Sequence, residues 1–573
     1  MILRSNLKER EMKKAISRRD FIRISTQMGL FIGIAGSNLL NGSSSETYDL
    51  VIKNGTVVDG IGNKGYKADI GILGEHIKKV GNLQKAKAKA VLDATDRIIS
   101  PGFIDIHTHT DSDILINPKA ESKIRQGVTT ELAGNCGGSA FPMKQPLSDS
   151  AKRRAERLNI TIDWTDLKGF HSAIAKKGTA VNHATLIGQG TVRSYVMGED
   201  QREPTAEEME KMKKIVAEAM EQGAFGISSG LEYTPSGFAD TPELIELCKI
   251  VAGFGGFYAT HIRSEDRAVL EAVGEAIHIA EAANLPLQIA HFKAVGSTNW
   301  WKLPKMFDLV ERAAERGLLV TVDRYPYIAF STGLSIIFPQ WALDGGMDKL
   351  IARLKDKEIR QSMKADTLKK LVGYGWEKIV ISNVKKDNNK HLIGKNIGEA
   401  AAEKNIDPYE FACDLIVDEG RDVSHIGFGM NEETTEAVLK HPLAMLGSDG
   451  SSLAPYGPLS EGKPHPRNYG AFPRFLGYYV REKKILSLPQ AIKKISSMPA
   501  AKMGLSDRGS IKKDSFADVV IFDPLNIADK ATFIDPHQYP VGIDYVIVNG
   551  TVVVDHGKHT GKLPGKILNR INP

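Results

Sequence analysis

The 573-residue chain is poor in cysteine, with only Cys136, Cys248 and Cys413. So small and odd a number excludes the disulfide framework that staples small secreted folds. No apolar run approaches the ~18 residues that a membrane-spanning helix needs, so no stable membrane anchor is expected. Charge of one sign is lacking too: 75 Lys and Arg stand against 69 Asp and Glu, a balance of +6. The basic residues form no stripe, which argues against a nucleic-acid partner. What is there is a hydrophobic fraction of 42% and a charged fraction of 25%, as in globular proteins generally. The length exceeds one ordinary core and predicts a large domain with smaller ones attached.

The first residues stand apart. Ser17-Arg18-Arg19-Asp20-Phe21-Ile22 is followed by a weakly apolar stretch from Met28 to Leu40. This order resembles a twin-arginine export signal, a route that carries folded proteins. Met12 is an alternative start, with Lys13 and Lys14 as the basic lead, and cleavage is expected between Ala35 and Ser45. No cysteine lies nearby, which excludes a lipid anchor at a lipobox. Residues 1–45 are therefore expected to be signal and linker, with the twin-arginine export machinery as a partner and the periplasm as destination.

From Tyr48 the chain reads Tyr48-Asp49-Leu50-Val51-Ile52-Lys53-Asn54-Gly55-Thr56-Val57-Val58. Alternating apolar residues around Asn-Gly predict strand, turn, strand. The far end repeats the phrase in Tyr545-Val546-Ile547-Val548-Asn549-Gly550-Thr551-Val552-Val553. Both ends are thus expected to build one small β-sandwich, from residues 46–100 and 501–573. Between them, apolar runs of four to eight residues alternate with helical patterns such as Ala206 to Gln222 and Glu265 to Ala283. Eight such units predict an α/β fold of the TIM-type (β/α)8 barrel class over residues 101–500. The connection between Asp323 and Ala444 holds about 120 residues, far beyond one helix and two loops. An insertion over the barrel mouth is expected at about 341–421, helical from Ala342 to Leu371.

The chemically capable residues fall at the ends of these runs, where a barrel keeps its active site. His107-Thr108-His109 ends the first; alternate side chains of an extended chain face one way, so both imidazoles can address one cation. Asp105 and Asp111 flank them as carboxylates that could orient the rings. Alone, a His-x-His is as often structural. Cys136 lies in Asn135-Cys136-Gly137-Gly138 after the second run; a thiol in a tight turn is the plain alternative to a ligand. His261 ends the fifth run, His291 the sixth and Asp449 the eighth; Arg263 and Lys293 follow the two histidines. Cys248 and Cys413 sit in apolar helical patterns and read as core.

Together with Ser100-Pro101-Gly102-Phe103-Ile104-Asp105, this pattern resembles the amidohydrolase superfamily. Cys136 after strand two, Thr260-His261-Ile262-Arg263-Ser264-Glu265, Asp323-Arg324-Tyr325-Pro326-Tyr327 and His465-Pro466-Arg467-Asn468-Tyr469-Gly470 resemble its N-acyl-D-amino-acid deacylase (D-aminoacylase) branch, from about Tyr48 to the end. The resemblance implies a tight zinc on Cys136, His261 and His291. It implies a second, weaker metal on His107 and His109 with Asp449 nearby, and Asp449 as the proton carrier. Lys293, Tyr325 and Arg467 match residues that hold the substrate carboxylate, with Arg467 expected on a loop. One departure is Gln189, where relatives usually place His; it puts the third-strand side of the pocket in doubt. The implied function is zinc-dependent hydrolysis of the amide of N-acyl-D-amino acids or dipeptide-like small molecules. Its rivals are cyclic-amide hydrolysis of the dihydroorotase or hydantoinase kind, deamination, and a non-catalytic exported binding protein.

Overall fold

Eight parallel strands close into a barrel in a computed structural model that describes residues 47–147 and 149–570. They are β1 (Phe103–Asp105), β2 (Val128–Ala133), β3 in two segments (Asn182–Thr185 and Ile187–Gly188), β4 (Gly226–Gly230), β5 (Phe257–His261), β6 (Leu287–Ile289), β7 (Val320–Arg324) and β8 (Ala444–Leu446). Each pairs in parallel with the next, from β1 to β8. Closure lies just beyond the strand ends: Thr108 bridges Gly450 in parallel, and Asp449 N donates to His107 O at 2.8 Å. Lys123, fully buried, clamps this seam by donating to Asp105 Oδ2, Ser448 Oγ and Gly450 O at 3.0, 2.7 and 2.7 Å. Ile104, Leu132, Leu186, Phe225, Phe257 and Met445 belong to one interior cluster. Alternation places them inward while their neighbours meet the outer helices, so both faces are apolar, as a parallel sheet requires.

The helix read from Ala206 begins there because Thr205 and Glu208 form a capping box, and it ends at Glu221. The helix expected from Glu265 starts only at Val269. Glu265 is turned inward instead and hydrogen-bonds to Lys293. Strand four runs on past the apolar run that announced it, to Gly230, where a side chain would meet the Cys136 carbonyl oxygen at 2.2 Å.

The two chain ends build a sandwich of a four-stranded and a seven-stranded sheet. Tyr48–Lys53 lies in the first, between Asp69–Leu73 and Ala88–Asp93. In the second, Val519–Phe522 joins Ile98–Pro101 from the start of the chain to Ile543–Val548 from its end. Ile52, Ile72, Ile99, Val519, Ile521 and Ile547 pack between the sheets.

The insertion is larger than the sequence suggests. It is entered by strand Phe330–Gly333 and left by strand Ser424–Gly427, which pair antiparallel, and Ile379–Asn383 flanks the latter. Helices Met347–Lys355, Lys357–Lys370 and Pro408–Glu419 pack on this small sheet around Leu350, Leu354, Ile379, Ile381, Phe411 and Ile416. The three strands carry no long apolar run, which is why only the helices are legible. Cys248 and Cys413 are buried in helices Thr241–Gly253 and Pro408–Glu419. Among the described residues no helix is long and apolar enough to cross a membrane. The export-signal reading of residues 1–45 lies outside the described residues.

Candidate metal centre

The C-terminal ends of the barrel strands bring His107, His109, Cys136, His261, His291 and Asp449 together. With Glu265, their ligand atoms form three groups, each within 4.8 Å: His107, Cys136 and His291; His107, His109 and Asp449; His261, Glu265 and His291. Cys136 Sγ lies 3.4 Å from His107 Nε2 and 3.5 Å from His291 Nε2. Asp449 Oδ1 lies 2.9 Å from His109 Nε2 and 3.6 Å from His107 Nε2. The set Cys136, His261 and His291 implied by the resemblance spans the first and third groups, with His291 shared. His261 Nδ1 is buried without a hydrogen-bond partner among the described residues.

The backbone is bent to present these groups. Cys136, His291 and Asp449 have φ of 51°, 33° and 53°, a region that non-glycine residues avoid at a cost of order 1 kcal/mol. Neighbouring bonds hold them there. Gly134, at φ 76°, passes so close to Leu186 that a side chain would meet its carbonyl oxygen at 2.2 Å. Gly134 N donates to Asp111 Oδ1 at 3.1 Å, and Ser228 Oγ ties Gly134 O to Gly137 N at 2.5 and 3.0 Å. Asp323, at the end of β7, accepts from His291 N at 2.8 Å and faces His107 Nδ1 at 3.1 Å. That contact leaves His107 Nε2 turned to the cluster, the usual way a carboxylate orients a metal-binding imidazole.

Charge in the cluster is strongly coupled. Burial opposes ionisation of Cys136, but the His107 imidazole foremost, then His109 and His261, hold its thiol well below the ordinary value. Burial likewise opposes Asp449, yet Arg467 and His107 hold its carboxyl well below the carboxylate range. Burial disfavours charge on His109, and the Asp449 hydrogen bond overrides it to raise the ring to about 9. Asp111, buried, is pushed up to about 6. A soft thiol among imidazoles with hard carboxylates at its edge is a donor set suited to zinc.

Arg467 is not on a loop: it opens helix Arg467–Arg474, because Pro466, at φ −59°, already has the helical angle. Its Nη1 donates to Asp449 Oδ2 at 2.7 Å, and its guanidinium stacks 4.9 Å from the Tyr325 ring centroid. Arg467 Nε and Tyr325 Oη are both buried with no hydrogen-bond partner among the described residues. Lys293 is buried against Glu265 and lies 2.9 Å from His291 Nδ1. Gln189 is buried outside the cluster, its amide bonded to Glu243 at 2.9 Å and Ser236 at 2.5 Å. Arg263 is likewise consumed, by Glu275 and two carbonyls.

Sequence reasoning assigned no role to Glu265, Glu232 or Asp323. Glu265 stands four residues after His261, and Asp323 ends an apolar run as His107 does; both signals were available. Glu232, 3.1 Å from His261 Nε2, carries none.

A closed parallel barrel with imidazoles, a thiol and a carboxylate at the C-terminal ends of its strands is the framework of a metal-dependent hydrolase. The chain belongs to the amidohydrolase family, whose model matches residues 90–366 and 395–554, and to its N-acyl-D-amino-acid deacylase branch. It is 34% identical over 533 residues to the D-aminoacylase of Alcaligenes xylosoxydans xylosoxydans, covering 92% of this chain and 99% of that protein. It is 33% identical over 527 residues to the N-acyl-D-glutamate deacylase of the same organism, covering 92% and 97%. Its fold matches the crystal structure of N-acyl-D-glutamate deacylase from Bordetella bronchiseptica complexed with zinc and a phosphonate inhibitor that mimics the tetrahedral intermediate. There the TM-score is 0.78 and the identity 31%, over 92% of this chain and 100% of that one.

Proposed function

We propose that the protein hydrolyses the amide bond of N-acyl-D-amino acids with zinc as cofactor, releasing a carboxylate and a free amino acid. Cys136, His261 and His291 would hold the tight ion, and His107 and His109, with Asp449, a weaker second one. Zinc, when bound, polarises the amide carbonyl and makes water a competent nucleophile near neutral pH. The rest falls to the chain. Asp449 takes the proton of the attacking water on Oδ1 and returns it to the leaving amine, while Arg467 fixes Oδ2.

The observation that carries the substrate class is Arg467, which holds Asp449 Oδ2 through Nη1 while its Nε is buried without a partner among the described residues, as is the hydroxyl of Tyr325, whose ring lies against its guanidinium. A guanidinium beside a hydrolytic carboxylate, with a spare buried donor, suits the α-carboxylate of an acyl amino acid. Lys293 Nζ, 6.0 Å from the Tyr325 ring centroid, adds positive charge. A cyclic amide without a carboxylate would leave these donors unmet.

The test is a kinetic panel on the zinc-loaded protein: N-acetyl-D-amino acids, their L-enantiomers and the matching D-amino-acid amides. The D-acids should exceed the amides by at least about tenfold in kcat/KM, since a charged hydrogen bond is worth ~1.5–3 kcal/mol. Equal rates on acids and amides would remove the carboxylate site, and no turnover on any would remove the deacylase reading. The same proposal places the enzyme in the periplasm, on the strength of Ser17-Arg18-Arg19-Asp20-Phe21 and the apolar stretch after it. Replacing Arg18 and Arg19 by Lys should leave the enzyme in the cytoplasmic fraction; unchanged periplasmic activity would argue for another route.

A further inference from the structure

A cavity of about 520 Å³ runs from His261, His291 and Asp449 to the underside of the insertion. The insertion lines it with Phe330, Ile336, Ile337, Leu371 and Tyr374, a largely apolar wall in which Ser331, Thr332 and Gln340 also stand. Set into that wall is Lys370, the last residue of helix Lys357–Lys370. Its ammonium donates to Ile336 O at 2.9 Å and Phe338 O at 2.8 Å. Two of its three protons are thereby placed, and among the described residues no carboxylate lies within ion-pair distance of the third.

Of the acids that line the cavity, Glu271 is exposed, and Glu232, Glu265 and Asp266 have other partners. Glu265 holds Lys293, Glu232 accepts from the Glu265 amide at 3.0 Å and meets His261, and Asp266 accepts from Ser264 Oγ at 2.6 Å. Arg267, exposed at the rim, adds a second cation. Burial lowers the affinity of Lys370 for its proton, with Glu232 and Asp266 opposing from a distance. An ammonium drawn partly out of water with no carboxylate in contact is costly, and an anion there would relieve it.

We propose that this cavity receives the side chain of the leaving D-amino acid, and that the side chain is glutamate-like. An aliphatic stem would lie along Ile336 and Leu371, with a terminal carboxylate on Lys370 Nζ. The inference rests on the deacylase reading above and narrows it to acidic substrates.

The test compares N-acetyl-D-glutamate, N-acetyl-D-glutamine and N-acetyl-D-leucine on the zinc-loaded full chain. Glutamate should exceed glutamine by at least about tenfold in kcat/KM, the worth of one charged hydrogen bond. K370M should bring that ratio down by about tenfold, and K370R should restore part of it. A ratio is read within each variant, so a general loss of folded enzyme does not move it. Glutamine or leucine turned over as fast as glutamate, or a ratio unmoved in K370M, would overturn the inference and leave the deacylase reading standing. If none of the three is hydrolysed, the deacylase reading fails and the side-chain assignment falls with it.

Discussion

Asp449 has two oxygens with two different neighbours, and that division decides what a substitution there should do. Oδ2 is held by Arg467, and Oδ1 faces the histidines. Asp449→Asn keeps size and most contacts but removes the proton acceptor. It should retain zinc, measured by metal analysis, and lose about 10²–10⁴ in kcat; activity within tenfold of the parent would take Asp449 out of the mechanism. A second residue acts on stability rather than turnover. His425 is fully buried in strand Ser424–Gly427, and neither ring nitrogen has a partner among the described residues. Burial holds its pKa down at about 4, against the ordinary imidazole value of about 6.5. As pH falls from about 6.5 to about 4 the unfolded chain takes up this proton and the folded one does not, so stability falls through that window, by ~3 kcal/mol. His425→Phe should flatten the acid limb of the melting temperature between those values; an unchanged slope would show that His425 titrates normally. The cluster residues were legible because each ends an apolar run. Glu265 and Asp323 carry comparable signals, but Lys123 carries none, because a buried charge is recognised by its partner, and Asp105 lies 18 residues away.

At the scale of elements, one phrase folds in two ways. Asn549 and Gly550, with φ of 47° and 77°, join two strands that pair directly, Val548 opposite Thr551. Positive φ at both positions is the two-residue hairpin turn that Asn-Gly favours. Asn54-Gly55 has the same letters, but Tyr48–Lys53 and Thr56–Val57 belong to different sheets. There the chain crosses the sandwich, and Gly55 lies against Ile99, where a Cβ would stand 2.4 Å from Cδ1. Local sequence announces the turn; which strands pair across it depends on segments from the other end of the chain. Gly550→Ala should therefore be the more damaging of the two glycine changes. Handedness alone costs ~1–2 kcal/mol, and its Cβ would stand 2.1 Å from the Gly74 carbonyl oxygen, which is backbone and cannot move aside cheaply. Thermal melts at matched zinc content should place Gly550→Ala clearly below the parent, and a parental melting temperature would mean the turn is not type I′.

Over the whole molecule, the barrel supplies the reactive groups and the insertion supplies much of what surrounds the substrate. The barrel was legible because its strands are apolar runs at regular spacing; the insertion was legible only as excess length. Its boundary was missed because Phe330–Gly333 is half-exposed and reads as no strand. That boundary matters for an experiment. Gly333 pairs with Ser424 across an antiparallel ribbon, so the chain leaves and re-enters the barrel side at adjacent points. Residues 334–423 can then be replaced by a two-residue Asn-Gly turn, the loop such a ribbon accepts. The apolar core of the insertion is separate from that of the barrel, so the barrel should keep its helical and strand content and its zinc. The substrate cavity would lose Ile336, Ile337, Lys370, Leu371 and Tyr374 and stand open to water. Water exclusion strengthens every polar contact at the reacting centre, and closing elements commonly supply it. The shortened protein should bind zinc normally yet lose at least about a hundredfold in kcat/KM, roughly 3 kcal/mol of transition-state stabilisation. Parental kcat/KM without residues 334–423 would show that the barrel alone makes the site.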